Sequence, residues 1–367
     1  MTFLTILFVI IVILYAAQCL LFMYGLITTK HEKNLSYEPK VSIVTAARNE
    51  ETNIRSCLES LVSMDYPSKK LEIIVVDDNS TDTTPKIIDE FVSRHPGILT
   101  LTAQLSKDHL RGKANAIAQG IDRSTGEIIL MTDADCTVQR SWVRATVQSF
   151  GERTGVVAGL TLLRPNGWFA GMQSLDWAYI LAVASAAMAL KNPLSCIGNN
   201  FSFRRSAYDE VGGYRGTKFS VTEDFALFKA ITESGRWEYR YPFEKETLVF
   251  SRACSNVPEL YRQKRRWGVG GKDMPISGMA IMVIAFCMHT LLVMSPFLAI
   301  NTSLLLSGAF VKIVSDFLLL RIPLLRTEQS EQLKYFALFQ FYYILYVIAL
   351  PFAVFFGGKV VWKGRKY

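Results

Sequence analysis

Hydrophobic and polar positions divide the chain into three parts. From Thr2 to Thr29 no side chain is charged. As a helix this stretch would reach roughly 42 Å, more than the roughly 30 Å hydrocarbon core of a bilayer. A cleaved signal peptide is the alternative, but Met1-Thr2-Phe3 carries no basic side chain and the apolar run is too long. The pattern therefore predicts a membrane helix over residues 1–29, with Lys30 and Lys33 marking its cytoplasmic flank. Two more runs lack Asp, Glu, Lys and Arg, Ile276 to Val311 and Tyr335 to Gly358. The first is long for one helix and is expected to break near Pro296 or Asn301. Residues 276–358 thus hold two or three spans. The basic tail, residues 359–367, favours a cytoplasmic C-terminus and so an even number of spans, whereas hydropathy favours three. A tilted or in-plane segment from Lys312 to Leu325 would reconcile them.

Between these ends the pattern changes to alternating short apolar runs and helical periods. Val41 to Ala46, Leu71 to Val76, Leu99 to Ala103 and Ile128 to Thr132 read as strands. Glu51 to Met64, with apolar residues at Ile54, Leu58, Leu61 and Val62, reads as a helix, as do Thr84 to Arg94 and Gly112 to Ile121. Pro85 suits the first turn of the second helix. Alternation at this spacing predicts an α/β domain with a parallel sheet covered by helices on both faces. In such sheets ligands bind at the carboxyl ends of the strands. The domain is expected over residues 38–272. Trp168 to Lys191 is largely apolar around Asp176-Trp177, and reads as a buried helix or an interfacial one near an acceptor entrance.

Composition narrows this picture. The 367 residues are 50% hydrophobic, 12% aromatic and 20% charged, which excludes a disordered chain. Six cysteines without a Cys-x-x-Cys pair exclude a disulfide scaffold and speak against a zinc site. The net charge of +8 suits an anionic substrate and an anionic membrane face. No nucleic-acid partner is expected.

Four short motifs carry candidate chemistry. Asp133-Ala134-Asp135 ends a strand, and two hard-oxygen acids in one turn suit Mg²⁺ or Mn²⁺ on a diphosphate; the plainer reading is a polar turn. Asp77-Asp78 also ends a strand, where a carboxylate could accept the imide N–H of a uracil, or the run into Asn79 and Ser80 could simply cap a turn. Thr222-Glu223-Asp224 opens a helix. Thr222 could cap it, with the acids favoured by the helix dipole, or a carboxylate there could take a hydroxyl proton. Gln263-Lys264-Arg265-Arg266-Trp267 could grip a diphosphate and stack on a sugar, or form a basic collar beside the membrane. Lys113, after Arg111-Gly112, could contact phosphate or be a solvated surface lysine. The four histidines do not cluster, and no phosphate-binding Gly-x-x-x-x-Gly-Lys-Ser/Thr loop is present.

In order and spacing these motifs resemble those of membrane-bound family 2 glycosyltransferases with a GT-A fold. The matching residues are Ala47-Arg48-Asn49-Glu50, Asp77-Asp78-Asn79-Ser80, Gly112-Lys113, Asp133-Ala134-Asp135, Gly198-Asn199-Asn200-Phe201, Gly212-Gly213-Tyr214, Thr222-Glu223-Asp224 and Gln263-x-x-Arg266-Trp267. The resemblance covers roughly residues 40–272. It implies a GT-A nucleotide-sugar-binding domain with a mostly parallel central sheet, flanked by transmembrane helices. Thr45, Glu50 and Asp78 would hold the nucleoside, and Lys113 would lie near the nucleotide. Asp133 would contact nucleotide or sugar and, with Asp135, a divalent cation, Mg²⁺ or Mn²⁺. Asp224 would be the general base. Glu223, Gln263, Arg266 and Trp267 would cover the diphosphate and the acceptor mouth.

The implied reaction is an inverting transfer from a nucleotide-diphosphate sugar, a UDP-sugar by expectation. Polymer synthases with the same motifs usually carry more spans, enough to enclose a channel. Three or four spans favour transfer of one sugar to a lipid-type acceptor in the bilayer: a glycolipid, a polyprenyl carrier or a carotenoid-like alcohol. The other readings are a processive polysaccharide synthase and a non-catalytic nucleotide-sugar-binding protein. The expected location is the plasma membrane, multi-pass, with the catalytic domain cytoplasmic.

Overall fold

The computed structural model describes residues 3–28, 32–106, 108–218, 220–298, 300–358, 361–362 and 365–366. It opens with one long helix, α1 (Phe3–Thr28). Four parallel strands then alternate with three helices: β1 (Val41–Ala47), α2 (Ile54–Val62), β2 (Leu71–Asp77), α3 (Thr84–Arg94), β3 (Ile98–Thr102), α4 (Gly112–Arg123) and β4 (Ile128–Met131). The predicted elements are all present, with ends moved by up to three residues. β5 (Thr137–Val138), α5 (Trp142–Gln148), β6 (Thr154–Ala158) and β7 (Thr161–Leu163) lead to α6 (Trp168–Ala189). After α6 come β8 (Phe201–Arg204), α7 (Arg205–Glu210), α8 (Gly213–Gly216), α9 (Glu223–Glu233), β9 (Glu238–Arg240), β10 (Val249–Ser251) and α10 (Val257–Gly270). The chain ends with α11 (Ile276–Met294), α12 (Thr302–Arg326), α13 (Phe336–Phe356) and a short pairing of β11 (Val361–Trp362) with β12 (Arg365–Lys366).

The main sheet has the order β3-β2-β1-β4-β8-β6-β9, and β5-β10-β7 form a small second sheet. β3, β2, β1 and β4 are mutually parallel. β8 alone breaks the direction, running antiparallel to both β4 and β6. The strand order turns at β1, since β2 and β3 lie on one side of it and β4 on the other. That turn creates a crevice at the carboxyl ends of β1 and β4. Val44, Ile74, Val76, Ile129 and Met131 face one hydrophobic core, and Ile43, Val75, Ile128 and Leu130 face another. Both faces are thus buried, as continuous apolar strands require.

Among the described residues four helices are long and apolar enough to cross a membrane: Phe3–Thr28, Ile276–Phe297, Thr302–Arg326 and Ser330–Phe356. The long apolar run does break where expected, with a 3₁₀ turn at Ser295–Phe297, and Asn301 caps α12 by accepting the N–H groups of Ser303 (2.9 Å) and Leu304 (3.3 Å). Among the described residues three such helices follow the domain, and residues 312–325, expected as a tilted or in-plane segment, continue α12. Two charges in that segment, Lys312 and Asp316, are paired within the bundle. Lys312 contacts Asp316 at 2.9 Å and donates to Gln340, whose amide donates to Asp316 at 3.0 Å. Tyr15 of α1 and Tyr179 of α6 donate to the same carboxylate at 2.6 and 3.1 Å. Charges satisfied in this way are tolerated among apolar helices. Lys30 and most of the basic tail, on which the orientation expectation rests, lie outside the described residues.

α6 settles the choice left open for the apolar stretch around Asp176. It is buried along most of its length and packs against α1, α12 and α13 on one side and β7 on the other. It is the floor on which the domain meets the apolar helices.

Candidate active site

Strand register brings the acids together. Ala47 of β1 pairs with Asp77 of β2, and Val44 of β1 with Met131 of β4, so all three strands end at one edge. Phe201 of β8 lies opposite Met131. The antiparallel direction of β8 thus delivers the turn Gly198–Asn200 to the same edge. The loops after β1 and β2 are bonded to each other. Arg48 Nη1 donates to the carbonyls of Asp78 (2.5 Å) and Asn79 (3.0 Å), and the Glu50 N–H donates to Thr84 Oγ1 at 2.8 Å. Asn49 and Asn79 supply left-handed bends, with φ of 52° and 57°, a conformation asparagine tolerates. Asp77 accepts the Ser80 N–H at 3.3 Å and serves the turn, while Asp78 is buried against the crevice. The turn reading of the Asp-Asp pair is met by Asp77, and Asp78 lines the crevice.

Lys113 stands at the start of α4, where Gly112 provides a φ of 56°. It is not a surface lysine. Its ammonium lies 2.6 Å from Asp133 Oδ1 and 3.4 Å from Glu223 Oε1. Burial alone would lower its pKa, but Asp133, Glu223 and Asp224 together hold it above the ordinary lysine value. It bridges the Asp-x-Asp turn to the start of α9.

Asp224 is enclosed by protein with part of its surface open to the crevice. Burial, followed by the Glu223 carboxylate, pushes its pKa from 3.8 up to about 6, against the pull of Lys113, the Phe225 N–H and Arg266. The cap expected at Thr222 is not made by its side chain. Thr222 Oγ1 instead meets Ser220 Oγ at 3.1 Å, and Asp224 Oδ1 accepts the Phe225 N–H at 2.9 Å. Gly198 leaves the room Asp224 needs, because a Cβ there would stand 2.7 Å from its Oδ2. A side chain at neutrality's edge is what general-base work asks for. The acid limb of kcat/KM for the donor is accordingly expected near pH 6, since below that value Asp224 carries a proton and cannot take another. Rates measured between about pH 4.5 and 8 check this, and a limb in the ordinary carboxyl range near 4 would contradict it.

α10 closes the other side. Asn256 accepts the Glu259 N–H at 2.9 Å, and Glu259 accepts the Ser255 N–H at 2.8 Å, a reciprocal cap that fixes where the helix starts. Its last turn packs on the loop before α9: Gly270 lies against Thr222, and Arg266 Nη1 donates to the Val221 carbonyl at 3.4 Å. Gln263, Arg266 and Trp267 line the crevice, whereas Lys264 and Arg265 turn away from it. Arg265 donates to the Ala353 carbonyl at 3.1 Å and to that of Gly358, tying α10 to the end of α13. The basic stretch is thus divided between the crevice and the helix packing.

One cavity of about 950 Å³ is lined by Glu50, Asp78, Lys113, Asp133, Asp135, Glu223, Asp224, Gln263, Arg266 and Trp267. Thr45 is the exception and a correction. It is fully buried within β1 and does not line the cavity, where Ala46 to Glu50 take the place assigned to it. A strand residue two before the end is covered by its neighbours. Sequence reasoning missed Arg252, Gln18, Trp177 and Tyr346 as lining residues. No local pattern marks them, because helix packing brings them there from distant segments.

Asp133 is engaged by Lys113, and Asp135 meets Ser251 Oγ at 3.4 Å. Among the described residues no group of three or more His, Cys, Asp or Glu could hold a metal. Mg²⁺ on a diphosphate uses just such a sparse set, one or two carboxylates completed by phosphate oxygens. The pair fits a hard divalent cation arriving with its diphosphate, with Asp135 the better placed of the two.

A switch-point crevice lined by acids beside Lys113 and Arg266, with one carboxyl raised toward neutrality, suits the chemistry of group transfer. The sequence profile of Glycosyl transferase family group 2 matches residues 128–357, well over half of the chain, and that of Glycosyl transferase family 2 matches residues 42–212. The chain belongs to the family 2 glycosyltransferases. Poly-beta-1,6-N-acetyl-D-glucosamine synthase of Staphylococcus epidermidis is 28% identical over 238 residues, 64% of this chain and 55% of that protein. Beta-monoglucosyldiacylglycerol synthase of Nostoc sp. is 30% identical over 240 residues, 64% of this chain and 49% of that protein. The chain spans about half the length of these curated relatives. Among solved structures, a mannosyltransferase from Pyrobaculum calidifontis in complex with GDP-Man and Mn²⁺ matches with a TM-score of 0.61 at 17% identity, over 97% of this chain and 99% of that one. The fold is GT-A with its flanking helices.

Proposed function

We propose that this glycosyltransferase moves one sugar from a nucleoside diphosphate sugar, a UDP-sugar by preference, to a hydroxyl of a lipid-type acceptor lying in the membrane. One observation carries the reading. The cavity that holds Asp78, Asp133 and Asp224 continues without a break to Ile281, Met282 and Phe286 of α11 and to Val347, Leu350 and Val354 of α13. A nucleotide needs the first set, and only an apolar molecule benefits from the second.

Asp78 and Glu50 hold the nucleoside, Lys113 and Arg266 face the diphosphate, and Trp267 with Gln263 covers the acceptor mouth. Asp224 takes the proton of the attacking hydroxyl. The acceptor oxygen bonds to the anomeric carbon as the bond from that carbon to the phosphate oxygen breaks, and the electron pair leaves with the nucleoside diphosphate. A divalent cation held by Asp135 and Asp133 supplies neutralising charge for that diphosphate when bound. The transfer inverts the anomeric centre. The protein sits in the plasma membrane as a multi-pass protein, its domain over residues 38–272 on the cytoplasmic side.

The staphylococcal relative, named as a polymer synthase, favours the second reading of processive synthesis. Membranes containing the protein, incubated with labelled UDP-glucose, UDP-N-acetylglucosamine, UDP-galactose and GDP-mannose, separate the two. Label from one donor in the organic extract supports single transfer to lipid. Label confined to a high-molecular-weight aqueous product would make the chain a polymerase. For the nucleoside, Asp78→Ala is expected to raise the donor KM about tenfold or more and to lower kcat less. An unchanged donor KM would remove Asp78 from the nucleotide site.

A further inference from the structure

The helix that presents Gln263, Arg266 and Trp267 also carries a charge that the transfer does not use. Lys264 does not line the cavity. Its side chain is 5% exposed and forms an ion pair with Asp176 of α6, which is fully buried. Asp176 Oδ2 also accepts the Tyr342 hydroxyl of α13 at 3.1 Å, while Oδ1 has no hydrogen-bond partner among the described residues. The Lys264 ammonium stands 4.3 Å from the centroid of the Trp267 ring and 5.0 Å from that of Tyr346. Trp177, next to Asp176, meets Trp267 edge-on at 5.1 Å with an interplanar angle of 60°. Trp177, Trp267 and Tyr346 do line the cavity.

A buried ion pair is a poor source of stability, since desolvation consumes most of the attraction and an apolar pair of similar volume often serves as well. An oriented cation against an aromatic ring, by contrast, fixes where that ring stands. Lys264 meets Trp267 from the protein side, and Asp176, held in turn by Tyr342, determines where Lys264 stands. We propose that the Asp176–Lys264 pair is a positioning device for Trp267, holding the indole in place at the acceptor mouth while α6, α10 and α13 are locked together behind it. The role given to Trp267 rests on the proposed function; the dependence of its position on Asp176 does not.

The test uses the full-length protein carrying 5-fluorotryptophan, with the Trp267 resonance among the six tryptophans assigned by Trp267→Phe. Asp176→Asn leaves the Lys264 charge without its partner. It is expected to shift or broaden the Trp267 line and leave the line of the core residue Trp142 unmoved. UDP affinity measured with Mn²⁺ should stay within about twofold, and the initial rate of sugar transfer into extractable lipid should fall about tenfold. The double variant Asp176→Asn with Lys264→Gln restores a neutral hydrogen-bonding pair but leaves no cation on the ring, so the Trp267 line should stay displaced and the rate low; a return of both to native values would overturn the role of the cation. An unmoved Trp267 line in a variant whose Trp142 line is native would overturn the proposal, as would loss of UDP affinity in step with rate. If Asp176→Asn does not fold, Lys264→Met removes the cation with little change of volume. The same displacement of Trp267 is then expected, and an unmoved line again overturns the proposal. Absence of lipid transfer by the unaltered protein would count against the proposed function, whereas the fluorine line reads the positioning without any acceptor.

Discussion

Asp224→Asn is expected to lower kcat by at least about 10²-fold while UDP affinity stays within about twofold. The amide is nearly isosteric, and its oxygen can still accept the Phe225 N–H that Asp224 Oδ1 accepts at 2.9 Å. Gly198 leaves the same space for either side chain. Packing therefore changes little, but the amide cannot take a proton at neutral pH. If the acids of Glu223-Asp224 served only the dipole of α9, the same substitution would cost about 0.3–1 kcal/mol of stability and leave turnover nearly intact. Turnover and melting temperature measured on one preparation decide between these. Unchanged kcat with a lowered melting temperature would require another base.

Removal of divalent cations is the second large effect. Protein stripped with EDTA and washed should transfer no measurable sugar, and Mn²⁺ or Mg²⁺ should restore transfer. The expectation follows from charge. A nucleoside diphosphate leaves with negative charge growing on its phosphate oxygens, and Lys113, already paired with Asp133 and Glu223, is not enough to balance it. Asp135→Ala should weaken Mn²⁺-dependent UDP binding, measured by calorimetry, with little effect on the binding seen without metal. Full activity in EDTA-treated protein would remove the metal from the account and leave the diphosphate to Lys113 and Arg266 alone.

Much of the fold was legible because its signals are local. Buried parallel strands read as continuous apolar runs, and α2 to α4 show their period directly. The ends of the strands were legible for the same reason, so Asp78, Asp133 and Asp135 fell where ligands bind. What sequence could not read was direction. Nothing local says that β8 runs antiparallel and so carries Gly198 under Asp224. Within Gln263 to Trp267 the charges look alike, yet helical rotation sends Arg266 to the cavity and Lys264 and Arg265 to the core. Thr45 was misplaced by the same limit, since a motif at a strand end does not reveal which residue is the last one covered. Lys312 and Asp316 lie in the segment expected to tilt or run in plane, where the sequence shows no partner for them. They are instead satisfied within the bundle by Tyr15, Tyr179 and Gln340, partners supplied by three other helices. Hydropathy had favoured a third helix after the domain, and these partners show how it accommodates its charges.

The most direct measurement is the anomeric configuration of the product formed by purified protein. The lipid fraction is isolated after incubation with the nucleotide sugar that labels it, and the coupling of the anomeric proton is read by NMR. The expected product is a lipid carrying a single added sugar, β-linked if the donor is α-linked, as one displacement with Asp224 as base requires. An α-linked sugar from an α-linked donor, or a chain of sugars with no singly glycosylated lipid, would contradict it.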